Sequence, residues 1–237
     1  MKTLLAALSL LGFGGAFLAL QADDRPAPKM PDASTAESEL NQAMKLQHFR
    51  LVGNVHCKSH VYPVSIVTSD WTMTLTFPNE GMKYVVCLGP DKKSAQKIGP
   101  GGAHDLTPDE FRQHILDTDI TFEDLSLSFT LWPCKGDITE DSIKTLPAWL
   151  FTVTRPEGTP SNYGKVKLWM SSQFHGLLRV DCCDNQDNVV KRWEINDVSE
   201  TKNGYTLKEL MVNTMIPGRN ISSSQTFIDI SSSEKLP

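Results

Sequence analysis

Few residues of this chain stand at spacings that chemistry uses. His56 and His60 are four apart with Cys57 between them, and on a helix that spacing would offer two ligands to one metal ion. The segment reads as strand and turn, so the rings diverge and no metal is expected. His48, His104, His114 and His175 are scattered and read as surface residues. Cys182 and Cys183 are adjacent near a strand end, where their side chains point to opposite faces and a bond between them would be strained. Cys57 and Cys87 could pair if their strands adjoin, since export makes disulfides possible. Cys87 also reads as a small buried apolar residue. The carboxylates gather in turns, Asp137, Glu140 and Asp141 or Asp184 and Asp187, where they solvate loops rather than act as paired acid and base.

Familiar catalytic signatures are missing. No GxSxG, HExxH, GxxxxGK[ST] or strand-borne GxGxxG occurs. Gly99-Pro100-Gly101-Gly102 carries no phosphate-loop lysine and reads as a loop. The expectation is a protein with no catalytic residues, no cofactor and no reaction of its own. The five cysteines form no CxxC, which argues against a zinc ribbon or a thioredoxin-type site. With 23 basic and 28 acidic side chains, net charge -5, and no basic block, nucleic acid is not expected as a partner. Apolar residues make up 40% of the 237 positions, enough to bury a core.

The elements that must position any site are mostly strands. Met1 to Ala22 reads as a secretory signal peptide: a lysine, an uncharged stretch from Leu4 to Leu20, then a small residue before Asp23-Asp24. Residues 23–34 read as a flexible leader and 231–237 as a flexible tail. A helix is expected from Ser34, with Glu37 completing a cap and Leu40, Ala43 and Met44 on one face. Phe49 to Cys57 and Val61 to Thr68 read as a strand pair. Trp71, Met73, Leu75 and Phe77 alternate with threonines, and Tyr84, Val86 and Leu88 follow across Pro78-Asn79-Glu80-Gly81, the mark of a hairpin.

A second helix is expected from Pro108 to Leu116, capped by Thr107 with Glu110 completing the box. Leu125, Leu127, Phe129 and Leu131 alternate with small hydroxyl residues and predict a strand. Further strands are expected at Ala148 to Thr154, Lys165 to Met170, Leu177 to Cys182, Val189 to Val198, Tyr205 to Met215 and Ser223 to Ile230. Turns fall at Phe174-His175-Gly176, Asp184 to Asn188, Lys202-Asn203-Gly204 and Pro217 to Asn220. Short connections favour an antiparallel meander, and a long twisted sheet curls.

The succession Thr121-Phe122-Glu123-Asp124-Leu125-Ser126-Leu127-Ser128-Phe129 with Trp132-Pro133, then Tyr163 to Trp169, Gly176 to Val180, Val189 to Ile195 and Gly204 to Met211 resembles the outer-membrane lipoprotein-sorting (LolA-like) family. The resemblance spans most of the chain after the signal peptide. It implies an α+β, mostly β fold: a curved antiparallel sheet, a half-barrel covered by a few helices, enclosing an apolar cavity. It implies a single lipid-binding domain over residues 35–230. It also implies a periplasmic carrier of lipid or lipoprotein acyl chains in a diderm bacterium, with membrane-bound donor and acceptor proteins as partners. No polar gate residue of the family's carriers matches a position here. An acyl chain of about sixteen carbons needs an apolar host to cross water, at roughly 13 kcal/mol. The expected cavity lining is Trp71, Met73, Leu75, Phe77, Tyr84, Val86, Phe129, Leu131, Val166 and Leu168, acting collectively, with Met73, Met170 and Met211 as pliable parts. The rival readings are a cell-envelope assembly module that holds a protein partner, with a filled interior and an exposed apolar patch, and an envelope lipid hydrolase with His, Ser and Asp at the cavity mouth.

Overall fold

Alternating apolar and polar residues give each strand one face that must leave water, and long strands of this kind associate edge to edge. In the computed structural model, residues 8–9, 12–13, 30–32, 35, 46–88, 93–172, 176–201 and 204–236 are described. Within the expected signal peptide these include only β1 (Leu8–Ser9) and β2 (Gly12–Phe13), a two-residue ladder. The rest of the signal peptide, most of the leader, nearly all of the helix from Ser34 to Met44, and the turn residues Phe174, His175, Lys202 and Asn203 lie outside the described residues.

The first half of the sheet comprises β3 (Leu46–Cys57), β4 (His60–Asp70), β5 (Thr72–Phe77), β6 (Met82–Leu88), β7 (Lys93–Gly99) and β8 (Gly102–Asp105). The second comprises β9 (Thr139–Ile143), β10 (Leu146–Thr154), β11 (Lys165–Ser171), β12 (Leu177–Cys183), β13 (Val189–Thr201), β14 (Gly204–Met215) and β15 (Ser222–Lys235). All thirteen join one antiparallel sheet in the order β8-β7-β6-β5-β4-β3-β15-β14-β13-β12-β11-β10-β9. Each half is a meander, as the short connections require. One non-sequential pair, β3 with β15, fuses them. At that seam Gly53 lies opposite Ile230, and a Cβ there would stand 2.0 Å from the Asp229 carbonyl oxygen.

This topology forces a crossing. β8 and β9 are the two free edges, and residues 106–138 join them. Laid flat, thirteen strands would span about 58 Å. The sheet instead curls around the connection, which crosses its inner face and covers it. The cover contains α1 (Pro108–Phe111), α2 (Phe122–Ser126) and a 3-10 turn at Ser128–Leu131. One apolar core joins the two layers. Ile115, Ile120, Phe122, Leu125, Leu127, Phe129 and Trp132 of the cover pack with residues of strands β3 to β7 and β10 to β15.

Four expectations are corrected. The predicted strand from Leu125 to Leu131 is the α2 helix followed by the 3-10 turn. Thr121 Oγ1 accepts a hydrogen bond from the Asp124 N–H at 3.1 Å, while Asp124 Oδ2 accepts one from the Thr121 N–H at 2.7 Å. This reciprocal cap starts a helix, and Leu127 ends it in the left-handed region at φ 47. Residues 121–127 are buried all round, so their period-2 pattern did not mark an exposed side. Second, α1 has the expected capping box but stops at Phe111. Leu116 takes φ 54 and the Ile115 N–H donates to the Ile120 carbonyl, which closes a tight loop in place of further helix.

Third, β7, β8 and β9 were not anticipated. β8 is exposed along its length and β9 is Thr-Glu-Asp-Ser-Ile, so neither carries an alternating apolar side. Fourth, residues 231–235 are not a soft tail: β15 continues to Lys235 and pairs Ser232 through Lys235 with Val52 back to Phe49. Backbone hydrogen bonds hold this stretch although its side chains are polar. All five cysteines are separate thiols. Cys57, Cys182 and Cys183 are buried, and Cys87 and Cys134 are half-buried.

Candidate functional site

The candidate site is the inner face of the sheet together with the segment that covers it. β5 and β6 build part of the floor. Met73 lies opposite Val86, and Leu75 opposite Tyr84, all four buried on one face. Phe77 meets Tyr84 edge-on at 6.0 Å between ring centroids, and Tyr84 meets Phe122 of the cover at 5.0 Å. On the other half, Val166 and Leu168 of β11 are fully buried. Trp71, in the turn between β4 and β5, is half-buried and packs against the core. Phe129 and Leu131 stand on the cover rather than the sheet, Phe129 buried and Leu131 half-buried. Of the three methionines, Met73 and Met170 belong to this core and Met211 is half-buried. Leu51, Phe151, Trp193, Leu207, Leu210 and Val212, none of them among the expected lining residues, complete the floor.

Three carboxylates tie the cover to the sheet, and a fourth, Glu123, ties it to the loop between β10 and β11. Asp117 accepts a hydrogen bond from Tyr62 Oη at 2.5 Å and stands 2.8 Å from His60 Nδ1, while its carbonyl accepts from Cys57 Sγ at 3.2 Å. Tyr62 donating to this carboxylate has its own pKa pushed up to about 12, and the same bond holds the Asp117 carboxyl below the usual range. Asp119 accepts from Thr214 Oγ1 at 2.5 Å, from Thr226 Oγ1 at 2.9 Å and from Ser224 Oγ. Its own N–H donates to Thr226 Oγ1 at 2.8 Å. Glu123 accepts from Ser161 Oγ and from the Asn162 N–H at 3.1 Å, yet burial pushes its carboxyl up.

The deepest tie is an ion pair. Lys191 Nζ of β13 lies 2.6 Å from Asp124 Oδ2 of α2, with side chains 7% and 0% exposed. Tyr163 Oη donates to Asp124 Oδ1 at 2.6 Å. Burial raises the Tyr163 hydroxyl well above its ordinary pKa, and the neighbouring Asp124 charge adds to this. Cys182, opposite Lys191 in the β12–β13 ladder, is also raised well above its ordinary value by burial, so it is a poor nucleophile. The signal for Lys191 was present in the sequence: an ionisable residue two places before Trp193, at an inward register position of a strand.

Chemically, the inner face is mostly apolar, interrupted by the buried Lys191–Asp124 pair and the Tyr163 hydroxyl. Among the described residues no group of His, Cys, Asp and Glu could hold a metal ion. His56 is half-buried on β3 and His60 is engaged with Asp117, so the sequence pair does not converge. Among the same residues no helix is long and apolar enough to cross a membrane.

Residues 103–235 match the model of a family described as "-like: Uncharacterized protein". No curated protein matches the sequence. Among solved structures, the chain is similar to a putative outer membrane lipoprotein-sorting protein domain from Vibrio parahaemolyticus, with a TM-score of 0.70 and 10% identity over 86% of this chain and 93% of that one. A DUF1329 family protein from Desulfovibrio piger gives a TM-score of 0.67 with 16% identity over 86% and 91%. A LolA superfamily protein from Nitrosomonas europaea gives 0.53 with 12% identity over 88% and 96%. These likenesses establish the fold, a curved LolA-like sheet with its cover.

Proposed function

We propose, for a chain that belongs to the family whose model spans its residues 103–235 and that has a LolA-like fold, that it is a carrier which holds lipid or lipoprotein acyl chains against the inner face of its sheet. The observation that carries this reading is the continuous apolar floor, closed by one chain segment rather than by a second sheet. The cover fills the floor with its own Phe122, Leu125 and Phe129. An acyl chain takes the place of these side chains when residues 106–138 swing away. Each methylene removed from water contributes about 0.8 kcal/mol, which drives the exchange.

Met73, Leu75, Phe77, Tyr84, Val86, Val166 and Leu168 form the floor against which the chain lies, Trp71 flanks it, and Phe129 and Leu131 leave with the cover and give up their place to it. In this reading the protein carries out no reaction. It works in the periplasm after removal of residues 1–22, within one lipid-binding domain that begins near residue 35, and exchanges cargo with membrane-bound donor and acceptor proteins. The test is native mass spectrometry of gently purified protein, followed by titration of delipidated protein with a fluorescent fatty acid. One bound lipid and saturable uptake are expected. Protein that is repeatedly empty and takes up no acyl chain would overturn the reading and favour an envelope assembly module.

A further inference from the structure

Lys191 and Trp193 are alternate residues of β13, so they project from the same inner face about 7 Å apart. Their ladder partners on β12 are Cys182 and Val180, and Trp193 also faces Val212 on β14, all members of the apolar core. The Lys191 ammonium is therefore already out of water, and its counter-charge, Asp124, belongs to the cover and not to the sheet. Close by, Trp193 Nε1 is buried with no hydrogen-bond partner, an N–H donor that the closed protein leaves unused. A buried donor in this condition is costly and rare.

We propose that, once the cover is displaced, Lys191 and Trp193 bind the anionic head group of a single-chain lipid, with the ligand's oxygens replacing the Asp124 carboxylate. The inference rests on the carrier reading and names its ligand class. Moving α2 away takes Asp124 with it and strands a cation among apolar side chains. A neutral ligand leaves that cation unpaired, which is strongly unfavourable. A carboxylate or phosphate restores the ion pair, adds no net buried charge and gives the indole N–H its acceptor. Val180 and Val212 beside Trp193 then continue the apolar floor along which the acyl tail lies.

The test titrates delipidated protein, by calorimetry below the micellar range, with palmitate, palmitoyl lysophosphatidate and monopalmitoylglycerol. The anionic lipids are expected to bind about tenfold tighter than the glycerol ester, as a charge-assisted contact implies. Whichever of the two acids binds tighter identifies a carboxylate or a phosphate as the better head group. In the double variant Asp124→Asn with Lys191→Met the preference is expected to fall to about one, because both charges are gone while the helix cap keeps an acceptor. Trp193→Phe keeps the ring, removes the N–H and should reduce the preference roughly threefold. A ratio near one in the unaltered protein overturns the head-group inference and leaves the carrier reading standing; binding of none of the three overturns both. If circular dichroism shows the double variant unfolded, the unaltered ratio and Trp193→Phe decide the matter.

Discussion

Lys191 and Asp124 illustrate how one residue pair can hold a layer in place. Taking two charges out of water costs several kcal/mol each, and the attraction between them offsets this only with both partners present. Lys191→Met is therefore expected to destabilise the protein by about 3–5 kcal/mol, because Asp124 is left charged in an apolar setting. Adding Asp124→Asn should recover most of that loss, a coupling that chemical denaturation of the single and double variants measures directly. Glu123 makes a second, pH-dependent case. Burial raises its folded-state pKa above the unfolded value, so the folded form binds the proton more tightly. Its unfavourable contribution is absent at acid pH and grows as pH rises through the raised pKa. Glu123→Gln should thus raise the melting temperature at pH 7, and the gain should shrink as pH falls toward about 4. A gain that grew on acidification would contradict this account.

The seam between β3 and β15 joins the two meanders, and its strands approach too closely at Gly53 for any side chain. Gly53→Ala is expected to cost about 3 kcal/mol or more, since the clash is with backbone and cannot be relieved by a rotamer change. Equilibrium unfolding would show it, and a neutral result would mean the seam can slip. Much of the sheet was legible in the sequence: Met73, Leu75 and Phe77 alternate with threonines, and the hairpin to Tyr84 and Val86 follows from its turn. The cover was not. Leu125, Leu127, Phe129 and Leu131 mimic a strand because helix α2 is buried on all sides, and only the Thr121–Asp124 cap reveals it. Lys191 was readable as an inward ionisable residue, but its partner lies 67 positions away, a separation that no local pattern encodes. The edge strands β8 and β9 lack an apolar side and so gave no period to read.

For the whole molecule, the fold places a single connecting segment over an apolar face that is continuous across the sheet from β7 through the β3–β15 seam to β10. Apolar contacts do not hold that segment alone: Asp117, Asp119 and Asp124 bind strands, Glu123 binds the β10–β11 loop, and backbone hydrogen bonds at Leu106, Pro133 and Lys135 anchor its two ends. Such polar ties are directional, so they specify a closed position while leaving the apolar layer able to exchange one hydrocarbon partner for another. Hydrogen exchange of residues 106–138, measured on delipidated protein and again with palmitate at saturation, tests this most directly. The cover is expected to open as a unit well below the free energy of global unfolding, and palmitate to change its protection while strands β3 and β15 stay protected. A cover that exchanges only through global unfolding, with protection indifferent to palmitate, would contradict this expectation.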